Sequence, residues 1–260
     1  MNGFLEQSLQ LAQQRNYLDL LYHVYPTINN NIRDIDQRKW QAVETAYEKK
    51  DYAGLVSSLL KMELFPLKDS YVAFLKKDAG AIDRNPDTVR RLASTILSMN
   101  LNEVYEKCSQ PKESNRQQGQ AFKNFLRTEE MGLPKMDLRE FSNTNANAIL
   151  IAGDQEMKGF AESRLSYRHH KGLDFVGRMH GRYIIGEAKF LSADGGNQND
   201  QFEDAMAVLD APAAAIRIAV LDGVLYLPSR SKMYKNITGV HSESNIMSAL
   251  LLKDFLYTIR

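Results

Sequence analysis

The sequence predicts a mixed α/β (α+β) fold, with a mainly helical first half and, from about residue 148, a core of strands and helices. Two observations carry this. Up to Asn147, apolar residues recur at helical spacing, as in Trp40, Val43 and Tyr47 and again in Leu55, Leu59 and Leu60. Beyond Asn147, compact apolar runs such as Ala148–Ala152 and Ile216–Val220 end in Gly-Asp or Asp-Gly turn signals.

The elements follow in order. Leu5, Leu9 and Ala12, then Leu18 to Leu21, have helical spacing. Asn85-Pro86-Asp87-Thr88 opens a helix running to Leu97, with proline at an early position where its missing N–H costs nothing. The polar stretches Ser109–Gly119 and Asn143–Asn147 read as loops. Ala148–Ala152 reads as a buried strand, and Gln155–Leu165 as a helix with Met157, Phe160, Ala161 and Leu165 on one side. Leu173–Phe190 is expected to form two strands around a tight turn, and Asp200–Leu209 a helix. Ile216–Val220 and Val224–Leu227 flank Asp222-Gly223 and are expected to form a second hairpin. Asn245–Tyr257 has the pattern of an amphipathic helix. Two domains are therefore expected: a helical region over 1–147, and a core over 148–260 with a central mixed sheet flanked by helices.

Composition narrows the function classes. Of 260 residues, 43% are hydrophobic and 25% charged, the balance of an ordinary globular protein. No apolar run reaches membrane-spanning length, and the N-terminus lacks the pattern of a signal peptide, so a cytoplasmic protein with no membrane partner is expected. The single cysteine, Cys108, excludes an intrachain disulfide framework and a thiolate zinc site. The formal net charge is +1, so any nucleic-acid footprint must be local. Three stretches qualify: Arg164–Lys171, Ser229–Asn236 and Lys112–Lys123.

The chemistry concentrates between Lys171 and Phe190. A two-residue turn at His180-Gly181 pairs Met179 with Arg182, and the same register carries Asp174 opposite Glu187. Opposed side chains share a face with Cβ atoms about 4.5–5.5 Å apart. Lys189, two residues beyond Glu187, lies on that face. Leu173, Phe175, Met179, Ile184, Ala188 and Phe190 are expected to form the apolar opposite face, which fixes the register. Two facing carboxylates repel, and a divalent cation removes the penalty. Hard oxygen ligands suit Mg2+, and a neighbouring lysine can orient a water or offset charge on a phosphate. The chemistry implied is phosphodiester hydrolysis. A surface ion pair between Glu187 and Lys189 would read the same way in sequence.

Gly172-Leu-Asp174 followed by Ile-Ile-Gly-Glu187-Ala-Lys189 resembles the active-site motif of the PD-(D/E)XK nuclease superfamily. The longer block through Asn197-Gln198-Asn199-Asp200-Gln201-Phe202, and upstream Leu67–Lys77, resemble its type II restriction endonucleases. Leu173 stands where the motif often has proline. The resemblance implies a restriction-endonuclease-like core with Asp174 and Glu187 as metal ligands, the Ala188 carbonyl as a third, and Lys189 as catalytic lysine. It also implies a further glutamate on a preceding helix, a slot that Glu162 fits. Double-stranded DNA as substrate, a homodimer and a cognate methyltransferase are implied too. A repair or junction nuclease on the same core, or a non-catalytic DNA-binding module, are the alternatives. Arg168, His170 and Lys171 are candidates for phosphate contact. Asn197, Gln198, Asn199 and Gln201 are candidates for contact with bases or backbone, since amides can read adenine bidentately. Asn199 or Asp200 could equally cap a helix.

Overall fold

The structure, a computed structural model, describes residues 1–26, 34–110 and 114–260, without the side chains of 114–116. Helices α1 (Gly3–Leu11) and α2 (Tyr17–Val24) open the chain. Then come α3 (Gln37–Glu48), α4 (Tyr52–Leu60), α5 (Val72–Lys77), α6 (Ala81–Arg84), α7 (Pro86–Leu97) and α8 (Leu101–Cys108). After α9 (Ser114–Leu126), β1 (Lys135–Met136), α10 (Leu138–Asn143) and β2 (Ala148–Leu150) lead to α11 (Asp154–Leu165). The ribbon β3 (Phe175–Met179) and β4 (Arg182–Leu191) follows, then α12 (Asn197–Asp210), β5 (Ile216–Gly223), α13 (Lys232–Thr238), β6 (Ile246–Met247) and α14 (Leu252–Thr258).

Contacts divide the chain elsewhere than at the expected 147/148 boundary. One compact unit is Met1–Thr27 with Ser114–Arg260, and the other is Ile28–Glu113. The N-terminal helices belong with the sheet for a physical reason. Leu5 is fully buried in the core around β5 and β6, and Ser8 Oγ accepts the Ser248 N–H at 2.9 Å. The other unit is helical, as its apolar spacing predicts. Trp40, Val43, Leu55, Leu59, Ile96 and Val104 fill its core, and an Asn100–Glu103 capping box starts α8.

The sheet runs β1-β2-β3-β4-β5-β6. The β2-β3-β4 meander is antiparallel, whereas β1–β2, β4–β5 and β5–β6 are parallel. Helix α12 makes the crossover from β4 to β5, as a parallel pair requires. Both faces of the sheet are covered, which explains the unbroken apolar run in β5. Among the described residues, no helix is long and apolar enough to cross a membrane.

Four local expectations are corrected. The second hairpin does not form: β5 runs straight through Asp222, and Val224–Tyr226 is a 3-10 turn burying Leu225 and Tyr226. The helix expected from Asn245 begins only at Leu252, because Ile246 and Met247 extend the sheet beside β5. The loop expected over Ser109–Gly119 is helical from Ser114, with Phe122 and Leu126 buried one and two turns beyond Gln118. Lys112 and the side chain of Arg116, both in the third basic stretch, lie outside the described residues. Finally, α12 starts at Asn197, so the three-amide segment is its first turn.

Candidate active site

The β3–β4 turn is as its sequence requires. His180 and Gly181 both have positive φ (48° and 77°), the backbone of a type I′ turn, and Met179 pairs with Arg182. The ladder continues to Phe175↔Gly186 and stops there, one pair short of the expected Asp174–Glu187 pairing. Asp174 leaves the ladder. Its N–H donates to the Gly186 carbonyl at 3.1 Å, and its Oδ2 accepts the Ala188 N–H at 3.1 Å. A side-chain carboxylate thus replaces backbone as the partner of β4. On the other edge β4 stays paired with β5 as far as Leu191↔Gly223.

Lys189 draws the two carboxylates together. Its Nζ lies 2.5 Å from Glu187 Oε1 and 3.4 Å from Asp174 Oδ2. The three side chains retain 10% (Glu187), 15% (Asp174) and 21% (Lys189) exposure, so solvent screens them weakly. Burial first, and the Asp174 charge second, push the Glu187 carboxyl up to about 8 against the opposing pull of Lys189. Burial alone would lower Lys189, but the two carboxylates outweigh it and hold its pKa above the usual lysine value. The apolar partition differs from expectation at one residue: Leu173 packs with Val176 and Ile185 on the opposite side from Phe175, Met179, Ile184 and Ala188.

A cavity of about 250 Å³ opens beside this triad. Asp174, Ala188, Lys189 and Phe190 line one side of it, with Tyr25 from just after α2, Gln118 and Phe122 from α9, and Gln201 and Asp204 from α12. Sequence reasoning missed Tyr25 and Gln118, which come from distant helices. The Tyr25 ring stands edge-on to Phe190 at 5.1 Å, and its hydroxyl donates to buried Asp222 at 3.0 Å. Asp222 also accepts from Tyr17 Oη (3.3 Å), Ser248 Oγ (2.5 Å) and Ala249 N (3.0 Å). An aspartate following Ile216-Arg-Ile-Ala-Val-Leu was the available signal, and the adjoining glycine made it read as a turn.

The chain matches the family described as "Tsp45I type II restriction enzyme" over residues 2–259. It belongs to that family. The protein is accordingly a sequence-specific restriction endonuclease acting on DNA. No curated protein and no solved structure matches the chain.

The remaining expected residues of this endonuclease are dispersed. Glu162 on α11 is exposed, pairs with Lys158 at 3.5 Å and does not line the cavity. Lys171 pairs with Asp204 at 2.9 Å, which brings it to the cavity rim. Arg168 and His170 are exposed, and the His170 carbonyl accepts from Lys158 Nζ. His169 stacks on His170 at 4.4 Å, and burial, then the neighbouring His170 and Lys171, lower its pKa. Asn197 is exposed and Asn199 half-buried, whereas Gln198 is buried with its Oε1 accepting the Ser192 N–H at 3.0 Å. Of the four amides, Gln201 alone lines the cavity.

Proposed function

We propose that this restriction endonuclease hydrolyses double-stranded DNA with Mg2+ held by Asp174 and Glu187, on a core of the PD-(D/E)XK type. The observation that carries the reading is Lys189 bridging both carboxylates where β3 parts from β4 beside an open cavity.

The donor set suits a hard cation. Two carboxylates crowd one buried spot, and the Ala188 carbonyl lies between Glu187 and Lys189 in sequence. Among the described residues, no cluster of three or more His, Cys, Asp or Glu side chains forms a full cage. Mg2+ commonly takes one or two carboxylates and keeps several waters, so the sparse set fits it. When bound, the ion supplies Lewis-acid polarisation of the phosphate and a lowered water pKa. Lys189 then sets its ammonium beside the scissile phosphate and offsets its charge. Glu162 stays in the proposal as an outlying acidic residue on α11. Arg168, His170 and Lys171 contact phosphates, which orient DNA without reading it, while Asn197, Asn199 and Gln201 are nearer to bases. Gln198 contributes through the loop it holds. The helical unit Ile28–Glu113 contributes recognition or dimer contacts.

A palindromic site favours a twofold homodimer, one active site per strand. A methyltransferase of matching specificity protects the host, and both proteins act in the cytoplasm. Digestion of a sequenced plasmid with Mg2+, followed by run-off sequencing of the ends, tests the proposal. Discrete fragments with defined ends are expected, abolished by EDTA. Equal cutting in EDTA removes the metal assignment, and sedimentation as a monomer on cognate DNA removes the dimer.

A further inference from the structure

The cavity holds one polar group that the reading above leaves idle. Gln118 sits one helical turn before Phe122 on α9, and both line the cavity together with Asp174 and Lys189. Phe122 is anchored in the core at 1% exposure, which fixes the helix face that presents Gln118. Gln118 Oε1 is shielded from solvent and accepts no hydrogen bond from the described residues. Leaving such an acceptor unmet costs about 1–3 kcal/mol, and native proteins contain few. The two carboxylates of the lining already have donors: Asp174 Oδ2 takes the Ala188 N–H and Lys189, and Asp204 takes Lys171. Lys189 itself can only donate.

We propose that Gln118 positions the attacking water through its amide oxygen. The inference rests on the nuclease reading above. A water aligned for in-line attack needs an acceptor for an O–H while its lone pair faces phosphorus. The terminal torsion of glutamine is broad, so Oε1 turns into the cavity at little cost once that donor arrives. In the reaction the water oxygen bonds to phosphorus and the phosphorus–oxygen ester bond breaks. The water's proton leaves to solvent, and the departing oxygen takes a proton from solvent. Gln118 stays neutral and transfers nothing.

The test compares wild type, Gln118→Leu and Gln118→Glu. Single-turnover cleavage with Mg2+ gives the rate, anisotropy on cognate DNA with Ca2+ in place of Mg2+ gives Kd, and thermal melting gives Tm. Gln118→Leu should cut roughly 10–100-fold more slowly, the penalty of a misplaced reactant. Its Kd should stay within about threefold and its Tm should not fall, because the orphan acceptor is gone. Gln118→Glu, which keeps an acceptor, should recover most of the rate. A wild-type rate in Gln118→Leu, a loss that follows Kd, or no recovery in Gln118→Glu overturns the assignment. An inactive wild type instead overturns the nuclease reading and this inference with it.

Discussion

The Ala188 backbone N–H donates to Asp174 Oδ2 at 3.1 Å, so one carboxylate closes the end of the β3–β4 ribbon and faces Lys189. Structure and chemistry therefore make separable demands on it. Asp174→Asn keeps an oxygen for the Ala188 N–H, whereas Asp174→Ala leaves that donor unpaired. Both variants should lose at least about 1000-fold in cleavage, in line with removal of a group central to transition-state charge. Only Asp174→Ala should also lose stability, by about 1–2 kcal/mol. Cleavage assays with thermal melts separate the two, and an active Asp174→Asn would remove the ligand assignment.

Glu187 makes the metal-free enzyme sensitive to pH. Its folded pKa of about 8 lies above the ordinary 4.5, so the folded state favours the protonated form. The stability this contributes is complete below the ordinary value and is lost as pH rises through about 8. Gln cannot ionise, so Glu187→Gln should melt near wild type at pH 5 and roughly 3–8 °C higher at pH 9, both in EDTA. A gap that does not change with pH contradicts the buried-carboxylate account.

Arg178 on β3 is 1% exposed and, among the described residues, meets no carboxylate. Its guanidinium donates to the carbonyls of Ala146 and Phe141 at 2.9 Å each and to Thr144 Oγ1 at 3.1 Å, and stacks 4.3 Å from the Phe141 ring. It thereby ties the chain entering β2 to the β3–β4 ribbon. Lysine cannot span that fan of acceptors, so Arg178→Lys should cost on the order of 2–4 kcal/mol. Chemical denaturation measures this, and a change below about 0.5 kcal/mol would show that the fan adds nothing.

Local chemistry made the β3–β4 ribbon legible in advance. His180-Gly181 dictates its turn, and alternation fixes its register, which is why Asp174, Glu187 and Lys189 could be brought together from sequence. The limits lie where the answer is non-local. No periodicity tells that Tyr25 and Gln118 reach the cavity, because helix docking decides it. Asp222-Gly223 carries hairpin chemistry, yet tertiary donors from Tyr17, Tyr25 and Ser248 make the aspartate a core residue. Ile246-Met247 falls inside a helical pattern, and the waiting edge of β5 overrides it.

Asp222 yields the last expectation. It is fully buried, and burial raises its pKa to about 6 despite four hydrogen-bond donors. Those donors join α2, β5 and the segment after β6, and through Tyr25 they hold one wall of the cavity. Asp222→Ala strands three hydroxyls and an N–H, whereas Asp222→Asn retains an oxygen acceptor. The alanine variant should be less stable by about 2–4 kcal/mol, and the asparagine variant by less. Because Tyr25 no longer presses on Phe190, cleavage by Asp222→Ala should fall roughly tenfold at a temperature where it remains folded, though Asp222 touches no substrate. Full activity in a destabilised Asp222→Ala would show that the cavity wall holds without this link.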